Sequence, residues 1–224
     1  GRFIANKIDE LIMDGREYRD FAVLYRTNAQ SRALEEQFIR KSIPYRLCGG
    51  TRFYDRKEIR DIHAYLKIVA NPFDDVAVKR VINVPKRGIG TTSIDKASDF
   101  AADNGLSFYE SLPAFAISPN AGRSGKNFAL FYDMVEKLKQ DKAEMTSAEF
   151  IESVVKRTGY KDMLELEGTD EAKMRLENIE ELVSKAAEYI ESSGDTSLEG
   201  FLEEVALVAD VDSYAEDENS VVLM

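Results

Sequence analysis

Two short apolar runs near the N-terminus, separated by a helical pattern, constrain the fold more than any other feature of the sequence. Residues 21–25 (FAVLY) and 44–48 (PYRLC) have the length and apolar character of buried parallel strands. The segment between them has an apolar stripe at helical spacing, with Thr27 or Asn28 as its N-cap. Strand, helix and strand in this order predict a βαβ unit with a right-handed crossover.

The rest of the chain has the apolar period of helices rather than of strands. We expect helices over residues 2–14, 55–70, 74–82, 91–103, 106–112, 126–141, 147–158, 172–192 and 197–209, and a loop over 113–125. Asp55 is the expected N-cap of the second of these helices. The last apolar run, 220–224 (SVVLM), predicts a strand that returns to the sheet, because two strands alone are too few to be stable.

The predicted fold class is therefore mainly α with a small α/β part. An incomplete βαβ layer carries an inserted all-α domain, and the chain is expected to be a piece of a longer protein. The single cysteine, Cys48, excludes an internal disulfide, and the single histidine, His63, excludes zinc sites with paired histidines. Without an apolar stretch of membrane-spanning length or a signal-peptide pattern, we expect a cytoplasmic protein with no membrane partner.

Charge is divided unevenly along the chain. Residues 1–94 carry 18 Lys+Arg and 12 Asp+Glu, a balance of +6, and residues 95–224 carry 12 and 29, a balance of −17, which together give −11. The basic part is suited to face phosphates. The acidic part has two interpretations: solvated helix faces, or a surface for protein partners with basic patches.

The segment PKRGIGTT, residues 85–92, carries the strongest local chemistry and is called the GIG loop below. It precedes a predicted helix, where free backbone amides favour an anion, and its glycines allow close approach of a phosphate. It resembles the hairpin of helix-hairpin-helix modules, which grip the DNA backbone without reading sequence. The candidate duplex-binding residues are Lys86, Arg87, Gly88, Gly90, Thr91 and Thr92. The alternative is a tight turn before an N-cap.

Polar residues follow both predicted strands, at the edge where parallel sheets bind ligands. Arg26 and Asn28 follow the first strand and Arg52 and Phe53 the second, which makes them candidates for binding single-stranded nucleic acid. Helix capping by Asn28 and a core role for Phe53 are the alternatives. Gly49 and Gly50 are hinge candidates, since they precede the change from sheet to helices. The segment GRSGKN, residues 122–127, is similar to a phosphate loop, but its spacing is wrong and no strand precedes it.

The order of several blocks closely resembles that of superfamily 1 DNA helicases of the UvrD/Rep type. These blocks are FAVLYRTNAQSRALEEQF, IPYRLCGGTRFYDRKEIRDIHAYLKIVANP, VINVPKRGIGTTSID, RLENIEELV and the final VVLM. The resemblance implies that residues 1–53 are the first part of a RecA-like domain 2A. Residues 54–218 are then the helical domain 2B, and 219–224 a strand that returns to 2A.

The same resemblance implies a function. The parent protein is expected to be an ATP-dependent 3′–5′ DNA helicase of DNA repair and replication that uses ATP and Mg²⁺. This chain is expected to hold no catalytic residue, metal or cofactor of its own, because it has no Walker A loop and no motif for Mg²⁺ or the γ-phosphate. Its partners are then a single-strand/duplex DNA junction and the remaining helicase domains. The alternative is an acidic, helical protein-interaction module without DNA affinity.

Overall fold

The chain folds into two compact units that are each described on their own terms. The computed structural model describes residues 1–25, 28–47, 52–213 and 219–224, and leaves out the side chains of residues 28–30 and 208–213. The sheet unit comprises Gly1–Arg56 and Glu203–Met224, and the helical unit comprises Lys57–Leu202. As predicted, the chain is mainly helical with a small parallel sheet.

The elements follow one another as α1 (Arg2–Met13), β1 (Ala22–Val23), α2 (Asn28–Arg40), β2 (Tyr45–Leu47), α3 (Lys57–Ala70), α4 (Asp75–Val81), α5 (Thr91–Asp103), α6 (Phe108–Ile117), α7 (Gly125–Lys142), α8 (Ser147–Arg157), α9 (Tyr160–Glu167), α10 (Asp170–Ser193), α11 (Leu198–Ser213) and β3 (Val221–Leu223). Short 3₁₀ turns span Tyr18–Asp20, Phe53–Asp55 and Pro119–Ser124. Among the described residues, no helix has both the length and the apolar character needed to cross a membrane.

The sheet confirms the predicted return of the chain at its C-terminal end. The strand order is β1-β3-β2, and β3 runs parallel to both neighbours. Val222 lies opposite both Ala22 and Arg46. The last strand is therefore the central one, and β1 and β2 are joined only through it. Because the strands are parallel, their carboxyl ends lie at one edge of the sheet.

Apolar side chains from α1, α2 and the strands form the core of the sheet unit. The fully buried members are Ala5, Ile8, Leu34, Phe38, Ile43, Tyr45, Val221 and Leu223. The rings of Phe38 and Tyr45 meet edge to face with their centroids 5.9 Å apart. This core explains the stripe on α2, since its apolar positions are those that face the strands.

The helical unit is organised around α3, which is buried along most of its length. Ile62, Tyr65, Leu66 and Ile68 are all inaccessible to solvent. Aromatic residues from the following helices fill the remaining core, and Phe115 of α6 meets Phe128 of α7 edge to face at 5.1 Å. The buried Asp61 carboxylate accepts hydrogen bonds from Tyr160 at 2.9 Å and pairs with Arg80 at 2.8 Å, so its charge is compensated.

Three local predictions were wrong. Residues 113–125 are not a loop, since α6 continues through Pro113 to Ile117 and a 3₁₀ turn follows. Helix α9 was not predicted at all. Asp55 does not cap α3, because it closes a 3₁₀ turn and the helix begins at Lys57.

The unit boundaries differ from the predicted domain limits. The units meet at residues 56/57 and 202/203, whereas the sequence suggested 53/54 and 218/219. Most of α11, from Glu203 onward, therefore groups with the sheet unit. The assignment of the sheet unit to domain 2A and of the helical unit to domain 2B stays a prediction.

Candidate nucleic-acid interface

The GIG loop joins α4 to α5 in the helical unit and is anchored by one apolar side chain. Ile89 is completely buried, whereas Lys86, Gly88 and Gly90 on either side of it are exposed. The Asn83 side-chain oxygen accepts hydrogen bonds from the backbone amides of Arg87 (2.7 Å) and Ile89 (3.2 Å). The loop is thus held from inside and presents its outer backbone to solvent.

The exposed end of the GIG loop is the N-terminus of α5. Gly90 is the N-cap, and its carbonyl oxygen accepts from the amides of Ser93 and Ile94. Among the described residues, none accepts a hydrogen bond from the amides of Gly90, Thr91 or Thr92. Thr91 and Thr92 are exposed, so this first turn offers free N–H groups and the positive end of a helix dipole.

The two glycines of the loop differ in what the fold requires of them. Gly88 has a φ of +73°, where a side chain would be strained, and a Cβ there would come within 3.1 Å of the Asn127 amide nitrogen. Gly90 has an ordinary φ of −83°, and a Cβ there would meet no atom within 4 Å. The fold thus explains glycine at 88 but not at 90, where the missing side chain leaves open space beside the free amides.

Arg87 differs from its neighbour Lys86, which is exposed, because its side chain is partly buried and is bound by the protein itself. Its guanidinium group donates to the carbonyl oxygens of Val81 (3.2 Å), Pro85 (3.1 Å) and Thr158 (3.1 Å). Its fourth contact is the Met134 sulfur at 3.7 Å. The predicted phosphate ligand is therefore directed into the protein.

The sequence predicts the helix that became α7 but not the position of its start beside the GIG loop. The 3.1 Å approach between a Cβ on Gly88 and Asn127 places the first turn of α7 beside the GIG loop. Arg123 and Lys126, which flank this helix start, are exposed. Asn127 therefore lies beside Gly88, and two exposed basic residues lie within four positions of it in the sequence.

First-turn carboxylates distinguish these two helix starts from the others. Of the described helices that begin in the helical unit, only α5 and α7 have no acidic residue in the first turn. The others carry at least one Asp or Glu there. Such carboxylates compensate the positive end of the helix dipole. The positive ends of α5 and α7 therefore lack a compensating carboxylate in the first turn.

The predicted single-strand residues belong to the sheet unit and are described only in part. Arg26, Gly49 and Gly50 lie outside the described residues, as does the side chain of Asn28, the first residue of α2. Arg52 is half-buried, just before the Phe53–Asp55 turn. Asn28 follows β1 and Arg52 follows β2, so both come after strands that end at the same sheet edge.

Phe53 is buried within the sheet unit. It is 4% exposed, and the guanidinium carbons of Arg32 and Arg56 lie 5.0 and 5.4 Å from its ring centroid. This geometry favours the core-anchor interpretation over stacking on a base, because the ring has little free surface.

The comparison with known proteins agrees with the order of the sequence blocks. The model of the UvrD-like helicase C-terminal domain family matches residues 1–224. The chain is 42% identical over 219 residues to the ATP-dependent DNA helicase PcrA of Bacillus subtilis (strain 168), which covers 97% of this chain and 30% of that protein. It is 40% identical over 224 residues to the ATP-dependent DNA helicase PcrA of Staphylococcus aureus (strain Mu50 / ATCC 700699), covering 99% of this chain and 30% of the relative. The chain therefore spans under a third of the length of these relatives, and it belongs to the family of UvrD-like helicase C-terminal domains.

Proposed function

We propose that this chain is the DNA-engaging part of an ATP-dependent DNA helicase that acts 3′ to 5′ in DNA repair and replication. The sheet unit serves as part of the RecA-like domain 2A, and the helical unit serves as domain 2B. Family membership and the printed activity of the relatives support this proposal. Within it, the helical unit holds duplex DNA while chemistry takes place elsewhere in the helicase.

Duplex DNA binds at the GIG loop through its phosphate backbone. The single observation that carries this assignment is the exposed N-terminus of α5, with free amides at Gly90, Thr91 and Thr92 and no first-turn carboxylate. Phosphate oxygens accept from those amides, and open space at Gly90 allows the backbones to approach closely. The exposed Lys86 adds a charge contact. Since amides and lysine meet phosphates rather than base edges, binding is independent of sequence.

Single-stranded DNA binds at the carboxyl edge of the sheet in this proposal. Arg26, Asn28 and Arg52 contact its backbone, because all three follow parallel strands that end at that edge. Gly49 and Gly50 precede, in the sequence, the boundary between the two units at residues 56/57, and in this proposal they serve as the hinge that lets the helical unit change orientation. Spin-label distances between the two units that stay fixed when DNA is added would contradict the hinge.

The described residues do not fit ATP or Mg²⁺, which the resemblance implies for the complete helicase. Among them, no group of three or more His, Cys, Asp or Glu side chains is arranged to hold a metal ion. The one segment that is similar to a phosphate loop lies in a 3₁₀ turn before α7 rather than after a strand. We derive no step of nucleotide hydrolysis from these residues.

The test is fluorescence anisotropy of a labelled DNA hairpin with a 3′ tail, titrated with the chain across a salt series. Non-specific binding in the range of about 10⁻⁴–10⁻⁶ M, weakening as salt rises, is expected. Lys86→Ala should weaken it and lower the slope of log K against log salt by about 0.9, the value for one lost phosphate contact. Lys137→Ala is the matched control, because Lys137 is an exposed lysine farther along α7.

Two results would contradict this assignment. If Lys86→Ala and Lys137→Ala have the same effect, Lys86 does not contact the phosphate backbone. If the chain does not bind at low salt, the net charge of −11 dominates and the acidic helical half is better explained as a surface for protein partners.

A further inference from the structure

We infer that Arg87 is a positioning residue that holds the GIG loop in its DNA-binding shape and is not itself a phosphate ligand. The inference rests on the proposed function, since it concerns how Lys86 and the amides of α5 are presented. It changes the assignment that the sequence suggests, in which the adjacent Lys86 and Arg87 act alike.

The hydrogen bonds of Arg87 leave its guanidinium group little capacity for DNA. One terminal nitrogen donates to Val81 and Pro85, and the other donates to Thr158 and contacts the Met134 sulfur. A terminal guanidinium nitrogen carries two N–H groups, so all four are directed to acceptors within the protein. To bind a phosphate in the usual forked manner, Arg87 would have to give up two of these contacts.

Aromatic rings complete the surroundings of the guanidinium group. Its central carbon lies 5.8 Å from the Tyr65 ring centroid and 5.6 Å from that of Phe131, both within the range of cation–π attraction. The Tyr65 hydroxyl also shares its proton between the carbonyl oxygens of Val81 and Val84. Burial raises the pKa of Tyr65 to about 12, so the hydroxyl stays protonated and remains a donor at neutral pH.

These contacts tie the loop to several parts of the helical unit at once. Val81 ends α4, Pro85 lies in the loop, Met134 lies on α7 and Thr158 follows α8. Asn83 fixes the same stretch from the other side through the amides of Arg87 and Ile89. With both sides held, the exposed amides and Lys86 need little reordering when a phosphate arrives, which lowers the entropic cost of binding.

The Arg87→Lys substitution keeps the positive charge but does not replace the hydrogen bonds that the two terminal guanidinium nitrogens donate. The lysine's single ammonium group lacks the two separate terminal nitrogens through which Arg87 donates to Val81 and Pro85 on the one hand and to Thr158 on the other, and it is more strongly hydrated than a guanidinium. Arg87→Lys therefore separates the two roles. A side chain that contacts phosphate mainly through its charge would keep most of its effect after the substitution, whereas a positioning residue would lose it.

The experiment is a double-mutant cycle on the 224-residue chain, with the tailed hairpin DNA as the probe. It uses Lys86→Ala, Arg87→Lys and the double variant, with urea unfolding to establish that each is folded. Arg87→Lys alone should weaken binding about tenfold, and Lys86→Ala should then add less than about twofold, because the displaced loop no longer presents Lys86. If Arg87→Lys binds within about twofold of the original chain and Lys86→Ala costs the same in both backgrounds, the inference is wrong.

A second measurement uses the unaltered chain and is independent of whether the variant folds. The side-chain ¹⁵N–¹H resonances of Arg87 should stay in place when hairpin DNA is added, while the backbone amides of Gly90, Thr91 and Thr92 shift. Movement of the Arg87 resonances with the amides would make it a ligand and overturn the inference. If the amides do not shift and Lys86→Ala has no effect on binding, the proposed function itself fails. That outcome differs from one in which DNA binds and the effects of Lys86→Ala and Arg87→Lys simply add, which would contradict only the role of Arg87.

Discussion

At the scale of single residues, His63 shows what burial does to a titratable group in the helical unit. Its Nε2 atom is buried and, among the described residues, has no hydrogen-bond partner. Burial, with a smaller contribution from the Lys67 charge, lowers the pKa of His63 from 6.5 to about 4. The folded chain therefore holds this ring neutral at a pH where the unfolded chain would protonate it.

A pH dependence of stability follows from this shift. Between pH 6.5 and about 4 the unfolded state binds one proton more than the folded state, so the free energy of unfolding falls as pH falls through this range. His63 alone contributes a slope of up to about 1.4 kcal/mol per pH unit. Urea unfolding of the original chain and of His63→Gln, measured from pH 4 to 7, should give profiles that diverge below pH 6.5. Parallel profiles would show that the ring is not held neutral.

Residue roles were the least predictable part of the candidate site. The glycines, Lys86 and the helix start after residue 90 could be assigned from sequence, because loop and helix signals are local. Arg87 could not, because its acceptors include the Thr158 carbonyl oxygen, 71 residues away. Phe53 is a similar case, since its burial depends on Arg32 as well as on its neighbour Arg56.

At the scale of single elements, α4 has a side-chain N-cap, Asp74, whose contribution to stability can be tested. The Asp74 side chain accepts a hydrogen bond from the Ala77 amide at 2.9 Å. Asp74→Ala removes this acceptor and should lower the free energy of unfolding by about 1 kcal/mol in urea. Asp74→Asn keeps a capping oxygen without the charge and should lose much less. Equal losses in the two variants would mean that charge, rather than the cap, stabilises this helix start.

Helices with a clear stripe or cap were predicted, whereas those that depend on distant packing were missed. Helix α9 is short, with Tyr160 and Leu164 as its only fully buried residues, so it has no readable period. Helix α6 passes through Pro113, which costs a backbone hydrogen bond. Burial of Phe115 against Phe128 offsets that loss. This contact joins two different helices, so the residues around Pro113 alone do not reveal it.

At the scale of the whole molecule, each unit has a core of its own, so one can be disrupted without the other. The Val222 amide donates to the Phe21 carbonyl oxygen at 3.0 Å in the central strand. Val222→Pro removes this donor and should unfold the sheet unit, because proline is not accommodated inside a sheet. Hydrogen exchange with mass spectrometry should show lost protection in residues 1–56 and retained protection in 57–202.

The control for this prediction is Val222→Ala, which keeps the amide and should preserve protection in both units. Loss of protection across residues 57–202 in the proline variant would mean that the helical unit depends on the sheet unit for its fold.

The number of strands and their approximate positions were predictable from sequence. Their spatial order was not, because it depends on which edges meet after the whole intervening chain has folded.

The central position of β3 also has a consequence for biosynthesis. Strands β1 and β2 leave the ribosome long before the residues that join them, since β2 ends at Leu47 and β3 begins at Val221. At about 5–20 residues per second, the intervening stretch of roughly 170 residues takes on the order of 10–35 s to translate. During that time the two strand edges have no partner from their own sheet, while the helices between them can already fold. During synthesis, the segment that carries β1 and β2 is therefore the one most exposed to aggregation and most dependent on chaperones.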